Sequence, residues 1–230
     1  EQDSENLHLT MTNDDRFCLD GQKLVAVSGN YGVNGTEYRT EVDSRARIIS
    51  YGTLGSGPAY FTVEREDGSI SYYGNQDRLG SRNDATLSAD GTAVVWNITS
   101  ITDNLDNTSN SIRFLYTKGQ TGFGQNEILL DEVTYSDNTV DFIYSTNTGR
   151  EDTRSAYVYG ALVESKARLE SIEITNHNNV EVRSYNLTYG VDTLSKTQRI
   201  SSIEECGMVG NSCLPATTFS WNNEQSQMSA

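Results

Sequence analysis

A five-residue pattern occurs four times in the second half of the sequence. Its first, third and fifth positions carry the larger side chains, and the fifth is always Tyr or Trp. Side chains of a β-strand alternate between two faces, so each copy predicts one strand with a bulky stripe on one face. The four pentads are Ile112–Tyr116, Val140–Tyr144, Tyr185–Tyr189 and Thr217–Trp221.

A second phrase repeats just ahead of the last two pentads. Arg168–Glu173 and Arg199–Glu204 share the sequence pattern Arg-Leu/Ile-x-Ser-Ile-Glu. Turns rich in Asn and Asp separate such strands from the pentads. A strand, a turn and a pentad together predict a hairpin that is reused with turns of variable length. The bulky face should be buried against a neighbouring layer or turned inward, which predicts shielding from solvent for Phe114, Phe142, Leu187 and Phe219.

The first half of the chain contains clear hairpin signals. Asp20-Gly21 is a turn dipeptide, so Phe17–Leu19 and Lys23–Val27 are predicted to pair around it. Two further alternating runs, Tyr60–Arg65 and Ile70–Gly74, flank a Gly-containing turn. Both pairs predict antiparallel strands.

Other segments have weaker signals. Arg47–Tyr51 is predicted as a strand and 28–35 as a glycine-rich loop, which is not a phosphate cradle because no helix-forming run follows it. Residues 75–92 are polar and predict a long surface loop, and 93–101 predict one strand. The one helix candidate lies within 155–166.

The composition agrees with an all-β class. Of 230 residues only 35% are hydrophobic, whereas 13 are Tyr and 19 are Gly. Such a chain suits sheets with one solvated face rather than thick helical layers. We predict successive antiparallel hairpins that form a large curved sheet, a partial shell or a sandwich. Residues 1–230 are predicted to be a single module, with a possible internal boundary near 75–92.

The charge excludes one class of partner. The formal net charge is −15, whereas nucleic-acid binding needs clustered Lys and Arg. The sequence contains no run of about 18 apolar residues, so no membrane span is predicted. The chain opens without Met and starts in domain-like sequence, so we expect it to be part of a longer protein.

Two of the three cysteines lie close together in the sequence. Cys206 and Cys213 flank a turn-rich loop, and both a disulfide and two free thiols are compatible with this spacing. A zinc site is disfavoured because two more ligands are needed and the two histidines, His8 and His177, are distant in sequence.

Distinctive blocks of sequence follow one another along nearly the whole chain. They are Arg16–Leu24, Gly35–Glu41, Gly57-Pro58-Ala59, Asp67-Gly68 with Tyr73-Gly74, Glu205-Cys206 to Cys213-Leu214-Pro215, and Thr218–Trp221. In this order they resemble the SpvB/TcaC-type amino-terminal region of bacterial toxins, including the B component of insecticidal Tc complexes, where it precedes RHS or YD repeats. Arg150-Glu151-Asp152 and Arg168–Ile172 lie where that family usually has an Arg-Pro-Asp step and an Arg-Leu-x-x-Ile strand.

The resemblance implies a β-rich, non-enzymatic structural module of a secreted toxin. In Tc toxins the corresponding region helps to build a hollow RHS shell around a toxic carboxy-terminal enzyme. In the Salmonella-type virulence protein a similar region precedes an actin-modifying ADP-ribosyltransferase. The implied partners are other parts of the same toxin chain or a partner toxin subunit. Because Glu151 replaces the usual Pro and no complete Tyr-Asp-x-x-Gly-Arg repeat is present, the chain is expected to form the lead-in to such a shell.

The sequence does not support an enzyme. An ADP-ribosyltransferase needs an Arg, a Ser-Thr-Ser strand and a Glu-x-Glu in that order, but Glu64-Arg65-Glu66 precedes Ser145-Thr146. A nucleophilic triad would have to use His8 or His177, which lie in a strand and a polar turn, where solvated histidines are usual. We predict no catalytic, cofactor-binding or metal-ligating residue and no cofactor.

Two binding alternatives remain open. The turns Asp103–Asn107 and Asp137-Asn138 offer oxygen ligands for calcium, although Asn and Asp also favour tight turns for backbone reasons and the EF-hand spacing is absent. The aromatic stripe of Tyr116, Tyr144, Tyr189 and Trp221 predicts a sheet core. Alternatively, exposed aromatics would make the chain a recognition module for host glycans or another host-surface ligand.

Overall fold

The computed structural model describes residues 15–74, 85–103, 110–145, 150–193, 195–207 and 212–221. Within these ranges the regular secondary structure consists of β-strands, with no helix. The all-β prediction is confirmed. None of the described residues therefore forms a helix that is long and apolar enough to cross a membrane.

Eighteen strands are distributed along the described residues. Those of the first half are β1 Cys18–Leu19, β2 Gln22–Ser28, β3 Glu37–Thr40, β4 Arg47–Tyr51, β5 Tyr60–Glu64, β6 Ile70–Gly74, β7 Thr86–Ala89, β8 Thr92–Trp96 and β9 Ile98–Thr102. Those of the second half are β10 Ser111–Lys118, β11 Ile128–Tyr135, β12 Asn138–Ser145, β13 Arg154–Val158, β14 Ala161–Ser165, β15 Arg168–Thr175, β16 Glu181–Val191, β17 Gln198–Gly207 and β18 Thr217–Thr218.

Fourteen of these strands form one antiparallel sheet. Neighbours in the sheet are neighbours in sequence except at two places, where β9 follows β6 and β15 follows β12. The strands omitted there pair with each other, β7 with β8 and β13 with β14, as two separate ribbons. The large sheet begins at β1 and ends at β18 without closing, which confirms the predicted succession of hairpins.

The hairpins predicted in the first half are present. Cys18 pairs with Lys23 across a turn in which Asp20 and Gly21 have φ of 50° and 78°, the conformation that Asp-Gly dipeptides adopt readily. β5 and β6 form the second predicted hairpin, in which Tyr60 is opposite Gly74.

Three predictions of secondary structure were wrong. Residues 75–92 are not all loop, because β7 lies within them; residues 75–84 lie outside the described ranges. Residues 93–101 are two strands rather than one, because the chain changes partner at Asn97: its N–H donates to the Ala85 carbonyl oxygen beside β7, and its carbonyl oxygen accepts the Gly74 N–H of β6. The helix candidate within 155–166 is the hairpin of β13 and β14, which turns at Tyr159-Gly160.

The main sheet has an apolar face that runs across most of its strands. Directly opposite residues of neighbouring strands lie on the same face. One such row continues from β2 to β11 through successive pairings. Its members are Ala26, Tyr38, Ile48, Val63, Ser71, Ile101, Ile112 and Tyr135.

The apolar face is fully buried only in the first part of the sheet. A core cluster there contains Tyr38, Ile48, Phe61 and Val63, and Trp96 of β8 packs against it. The Trp96 ring lies 5.1 Å from the Phe61 ring, and its Nε1–H donates to the Pro58 carbonyl oxygen at 3.0 Å. The β7–β8 ribbon therefore covers part of this face.

A second core cluster joins the two ribbons. Leu87 and Ala89 of β7 pack against Ala161 of β14, with Ile128 of β11 at the margin. In the main sheet β6 is followed directly by β9, because Ile70 of β6 pairs with Thr102 of β9. The single-module organisation and the boundary near 75–92 stay predictions.

Candidate functional surface

The fifth residue of each later pentad joins its strand to an earlier one. The Tyr144 hydroxyl donates to the Leu130 carbonyl oxygen at 2.9 Å, and the Tyr189 hydroxyl donates to that of Leu169 at 2.8 Å. Trp221 repeats the contact through Nε1–H, which donates to the Ile200 carbonyl oxygen at 2.6 Å. We call these three side chains the aromatic rungs. They explain why Tyr or Trp, both apolar groups with a terminal donor, occupies this position in these three pentads.

The acceptors of the rungs lie at β-bulges. The strand pairing shifts register immediately before Tyr116, Tyr144 and Tyr189, and in each case the extra residue is on the partner strand. As a result these tyrosines face Leu130, Leu169 and Ile200 rather than the polar residue that follows each. Each bulge therefore keeps an apolar residue opposite the aromatic one.

One further copy of this arrangement was missed in the sequence. The register also shifts immediately before Tyr73, which faces Ile98, and Thr99 is the extra residue. Ile98 and Ile101 have the same spacing as Leu169 and Ile172. This spacing of three on a strand was the available signal.

Burial shapes the chemistry of the pentad tyrosines. It raises the pKa of the Tyr116 hydroxyl to about 12 and also raises the pKa values of Tyr144 and Tyr189. The guanidinium of Arg168 lies over the Tyr189 ring, 4.9 Å from its centroid, and opposes part of that increase. All three hydroxyls are therefore protonated at neutral pH, as the Tyr144 and Tyr189 hydroxyls must be to donate.

The predicted shielding of the pentads holds for three copies and is wrong for the fourth. Phe114, Phe142 and Leu187 are partly buried. Phe219 is 39% exposed and Trp221 is 52% exposed. Only Thr217 and Thr218 of this pentad form a strand, at the last position of the sheet, so a neighbouring strand covers one side only.

The two faces of the later strands differ in chemistry. On the apolar face Phe114 pairs with Val133, which in turn pairs with Val140. On the opposite face Glu132, Asp141 and Glu173 form a row across three strands. The sheet is thus two-sided, with an apolar face of partly buried side chains and an acidic face.

The two motifs near Arg150 and Arg168 meet in space. Asp152 bonds Arg150 Nε at 2.9 Å and accepts the Gln198 backbone N–H at 2.9 Å, and the Arg150 guanidinium lowers the pKa of Asp152. Arg150 Nη1 donates to the Ala167 carbonyl oxygen, while Arg168 Nη1 donates to Gln198 Oε1 at 2.7 Å. This cluster ties the start of β17 to the β12–β13 and β14–β15 connections.

Glu127 makes a second internal tie. It is buried, and its carboxylate accepts the backbone N–H groups of Gly124, Lys166 and Ala167 at 2.7–3.2 Å. These contacts join the β10–β11 loop to the β14–β15 connection. The carboxylate holds the backbone, so its role in these contacts is structural.

The Glu-x-Glu segment lies at a hairpin turn. Glu64 is paired with Arg47 at 3.3 Å, and Glu66 with Arg45 at 3.0 Å. Glu66 also lines an open cavity of about 360 Å³ with Asp20, Gln22 and Asp67, among others. Both glutamates are thus held in surface ion pairs; residues 146–149, which complete the Ser-Thr comparison, lie outside the described ranges.

The cysteine alternatives are resolved by the structure. Cys206 and Cys213 form a disulfide, and Cys18 is free and exposed. The one group of possible metal ligands within the described part of the chain is Glu204 with these two cysteines, whose sulfurs are bonded to each other. That group cannot supply thiolates to a metal while the disulfide is intact.

Only parts of the two Asn- and Asp-containing turns, and one of the two histidines, lie within the described residues. Asn138 Nδ2 donates to the carbonyl oxygens of Tyr135 and Ser136, which is the turn role of an Asn. Of the other turn, residues 104–107 lie outside the described ranges, as does His8. His177 is exposed in the Asn-rich turn.

Comparison with known proteins shows which solved structures share this architecture. No protein-family model matches the sequence, and no curated protein matches it. Among solved structures, the N-terminal domain of effector protein SpvB from Salmonella typhimurium strain LT2 superposes with a TM-score of 0.67 at 13% identity, over 86% of this chain and 82% of that one. The chain has the fold of this effector-protein domain.

Two Tc toxin structures share the fold. The Photorhabdus luminescens Tc holotoxin pore matches with a TM-score of 0.62 at 16% identity, over 87% of this chain. A TcdB2–TccC3 structure matches with a TM-score of 0.64 at 14% identity, over 85%. The chain spans only 12% of each of those two chains. The resemblance seen in the sequence is confirmed at the level of the fold.

Proposed function

We propose that the chain is a non-enzymatic structural module of a secreted bacterial toxin, and that it forms part of a wall that encloses a toxic effector. The observation that carries the proposal is the open sheet of fourteen antiparallel strands, whose fold matches domains of two kinds of toxin. Its partners would be other parts of the same toxin chain or a partner subunit.

The chemistry of the two faces suits a wall. An enclosed, incompletely folded effector exposes apolar side chains, and an apolar surface can contact them without a specific pocket. The apolar face still exposes side chains such as Ile112 and Tyr135. The acidic row Glu132, Asp141 and Glu173 would then face outward, where charge favours solvation.

A photo-crosslinking experiment tests the wall. A photoreactive residue replaces Tyr135 on the apolar face or Ile143 on the opposite face of the longer toxin chain; each is 41% exposed. We expect crosslinks to the effector from position 135 and few or none from position 143. Equal yields from both positions, or effector crosslinks from 143 alone, would overturn the proposed orientation.

The non-enzymatic part needs a separate test. The purified chain should show no hydrolase, transferase or NAD-consuming turnover. A robust turnover that disappears when Glu66 or Asp67 at the cavity is changed to an amide would refute this part of the proposal.

Recognition of a host glycan is the second candidate function, and one observation favours it. Tyr157 is 75% exposed, and Tyr159 is exposed beside it at the tip of the β13–β14 hairpin. Exposed aromatic rings stack on sugars, so this tip rather than the pentads would be the platform. A glycan array on which the wild type binds and Tyr157→Ala does not would favour recognition; absence of any wild-type binder would exclude these glycans as ligands.

A further inference from the structure

A carboxylate lies beside the Cys206–Cys213 disulfide on the same face of the sheet. Glu204 and Cys206 are two residues apart on β17, so their side chains project from one face. Glu204 Oε2 lies 3.9 Å from Cys206 Sγ, and the Cys213 sulfur lies within 4.8 Å of both atoms. The fold therefore brings three side chains with zinc-ligand atoms together, whereas the sequence spacing supplied only the two cysteines.

The backbone holds the two cysteines opposite each other independently of their S–S bond. The Gly207 N–H donates to the Ser212 carbonyl oxygen at 3.0 Å, and the Leu214 N–H donates to that of Glu205 at 2.8 Å. These bonds flank the cysteines, which are therefore a non-hydrogen-bonded pair, the kind in which facing side chains are closest. Their Cα atoms are 4.0 Å apart.

The arrangement suits the dimensions of a zinc site. Zinc–sulfur bonds of about 2.3 Å and zinc–oxygen bonds of about 2.1 Å in a tetrahedron place two sulfurs about 3.8 Å apart and each sulfur about 3.6 Å from the oxygen. The 3.9 Å between Glu204 and Cys206 is already close to the second distance. Rotation of the two cysteine side chains can set the first, and thiolate ligands favour Zn²⁺ over Mg²⁺ or Ca²⁺.

The surroundings of the cysteines favour a cation. Glu173 of the acidic row faces Ser184, which in turn faces Cys206, so the row leads to the cysteines on the same face. Negative charge along a surface raises the local concentration of cations. Asn186 Nδ2 also donates to Cys206 Sγ at 3.5 Å, and such a bond orients a sulfur ligand.

We propose that the chain binds one Zn²⁺ ion when this disulfide is reduced, through Cys206 Sγ, Cys213 Sγ and the Glu204 carboxylate, with water as the fourth ligand. A dithiol reductant first gives two electrons and two protons to the S–S bond and becomes a disulfide itself. The two cysteine thiols then lose their protons as their sulfurs bind the ion. Cys213 is exposed, which leaves room for the water ligand and for entry of the ion. The ion links β17 to residues 212–221 in place of the disulfide.

Metal titration tests the site. Every protein carries Cys18→Ser, which removes the third thiol. A phosphine replaces the dithiol, which would itself bind zinc; with one water it reduces the S–S bond and leaves as the phosphine oxide. We expect the reduced protein to bind one Co²⁺ with the charge-transfer band of thiolate-bound cobalt, and Zn²⁺ to displace it. The oxidised protein should show no such band. Its absence from the reduced protein would overturn the proposal.

Substitutions test the three ligands. Cys213→Ser should abolish the cobalt band, and Glu204→Gln should weaken Zn²⁺ binding at least about tenfold, because even groups that only orient a ligand contribute this much. Glu205→Gln is the matched control, because Glu205 lies on the opposite face and is paired with Arg183 at 3.2 Å. Equal Zn²⁺ affinities of the two glutamine variants would overturn the three-ligand site. Circular dichroism of each variant confirms that it is folded.

The melting temperature separates this site from general binding of cations to an acidic chain. Zn²⁺ should raise the melting temperature of the reduced protein, because a ligand that binds the folded state stabilises it, and should leave that of the oxidised protein unchanged. Cys206→Ser with Cys213→Ser should abolish the increase. Equal increases in the reduced and oxidised proteins, or an increase that survives the double substitution, would place the metal elsewhere and overturn the proposal.

Discussion

At the scale of single residues, Asp152 has the most defined electrostatic role. One carboxylate oxygen bonds Arg150 and the other accepts the Gln198 N–H. The hydrogen bond from Arg150 is the main cause that lowers the pKa of Asp152. Its contribution to the free energy of unfolding is therefore present above the unfolded-state pKa of about 4 and is lost as the pH falls through the lower folded-state pKa.

We predict that Asp152→Asn lowers the free energy of unfolding at neutral pH by about 2–4 kcal/mol, because Arg150 loses its partner in a mostly buried pair. The difference from the wild type should shrink below about pH 4. Urea unfolding across this range measures both effects, with Glu151→Gln on the exposed neighbour as the control. A difference that does not change with pH would contradict the assigned charge.

Glu127 supports a second prediction at this scale. Glu127→Ala leaves the N–H groups of Gly124, Lys166 and Ala167 without their acceptor. We expect a loss of about 2–4 kcal/mol in the free energy of unfolding, measured by chemical denaturation. Glu181→Ala, on an exposed glutamate, should cost less than about 0.5 kcal/mol. Equal losses in the free energy of unfolding for the two variants would argue against a stabilising role of the hydrogen bonds to Glu127.

At the scale of elements, the bulges explain the second repeated phrase. Leu169 and Ile172 are three residues apart, so strict alternation would place them on opposite faces. The extra residue Glu170 restores them to the same face, where Leu169 meets Tyr144 and Ile172 meets Phe142. Both repeats are visible in the sequence, but an unbroken period of two does not predict the bulges.

The bulge predicts which of two adjacent side chains contributes more to the free energy of unfolding. Leu169→Ala should lower the free energy of unfolding by about 1–3 kcal/mol, because Leu169 packs opposite Tyr144. Glu170→Ala, at the exposed extra residue, should change it by less than about 0.5 kcal/mol. Thermal or urea unfolding compares them. Equal or reversed costs would mean that the strand pairs in the regular register.

The β13–β14 hairpin carries a local strain that can be removed. Tyr159 has a φ of 50° at the first position of its two-residue turn, before Gly160 at 87°. Asn adopts this conformation more readily than Tyr, so we expect Tyr159→Asn to raise the free energy of unfolding by about 0.5–1 kcal/mol. Tyr157→Asn, outside the turn, should give no such gain. A Tyr159→Asn protein of lower melting temperature would contradict this account.

At the scale of the whole molecule, local sequence patterns predicted the strands of the main sheet. They did not predict where the chain leaves that sheet or which pentad is exposed. Alternation and Asp-Gly turns placed most of its strands, because both act between residues close in sequence. The change of strand partner at Asn97, from Ala85 beside β7 to Gly74 of β6, depends on hydrogen bonds between residues distant in sequence, which no local pattern reveals. The exposure of Phe219 likewise follows from its place beside the last strand, which a repeated pentad does not encode.

The proposed wall requires that the apolar face be enclosed and the opposite face be open to solvent. Ile112 on the apolar face and Ile143 on the other are 40% and 41% exposed, so single cysteines at these positions start from equal accessibility. Both proteins carry Cys18→Ser, and a thiol-specific reagent measures labelling rates in the isolated chain and in the longer toxin.

We predict similar rates for Ile112→Cys and Ile143→Cys in the isolated chain. In the assembled toxin, Ile112→Cys should be labelled at least about tenfold more slowly, while Ile143→Cys keeps its rate, because only the inner face is screened from solvent. Equal labelling of both positions in the assembled toxin, or protection of Ile143→Cys alone, would contradict the wall.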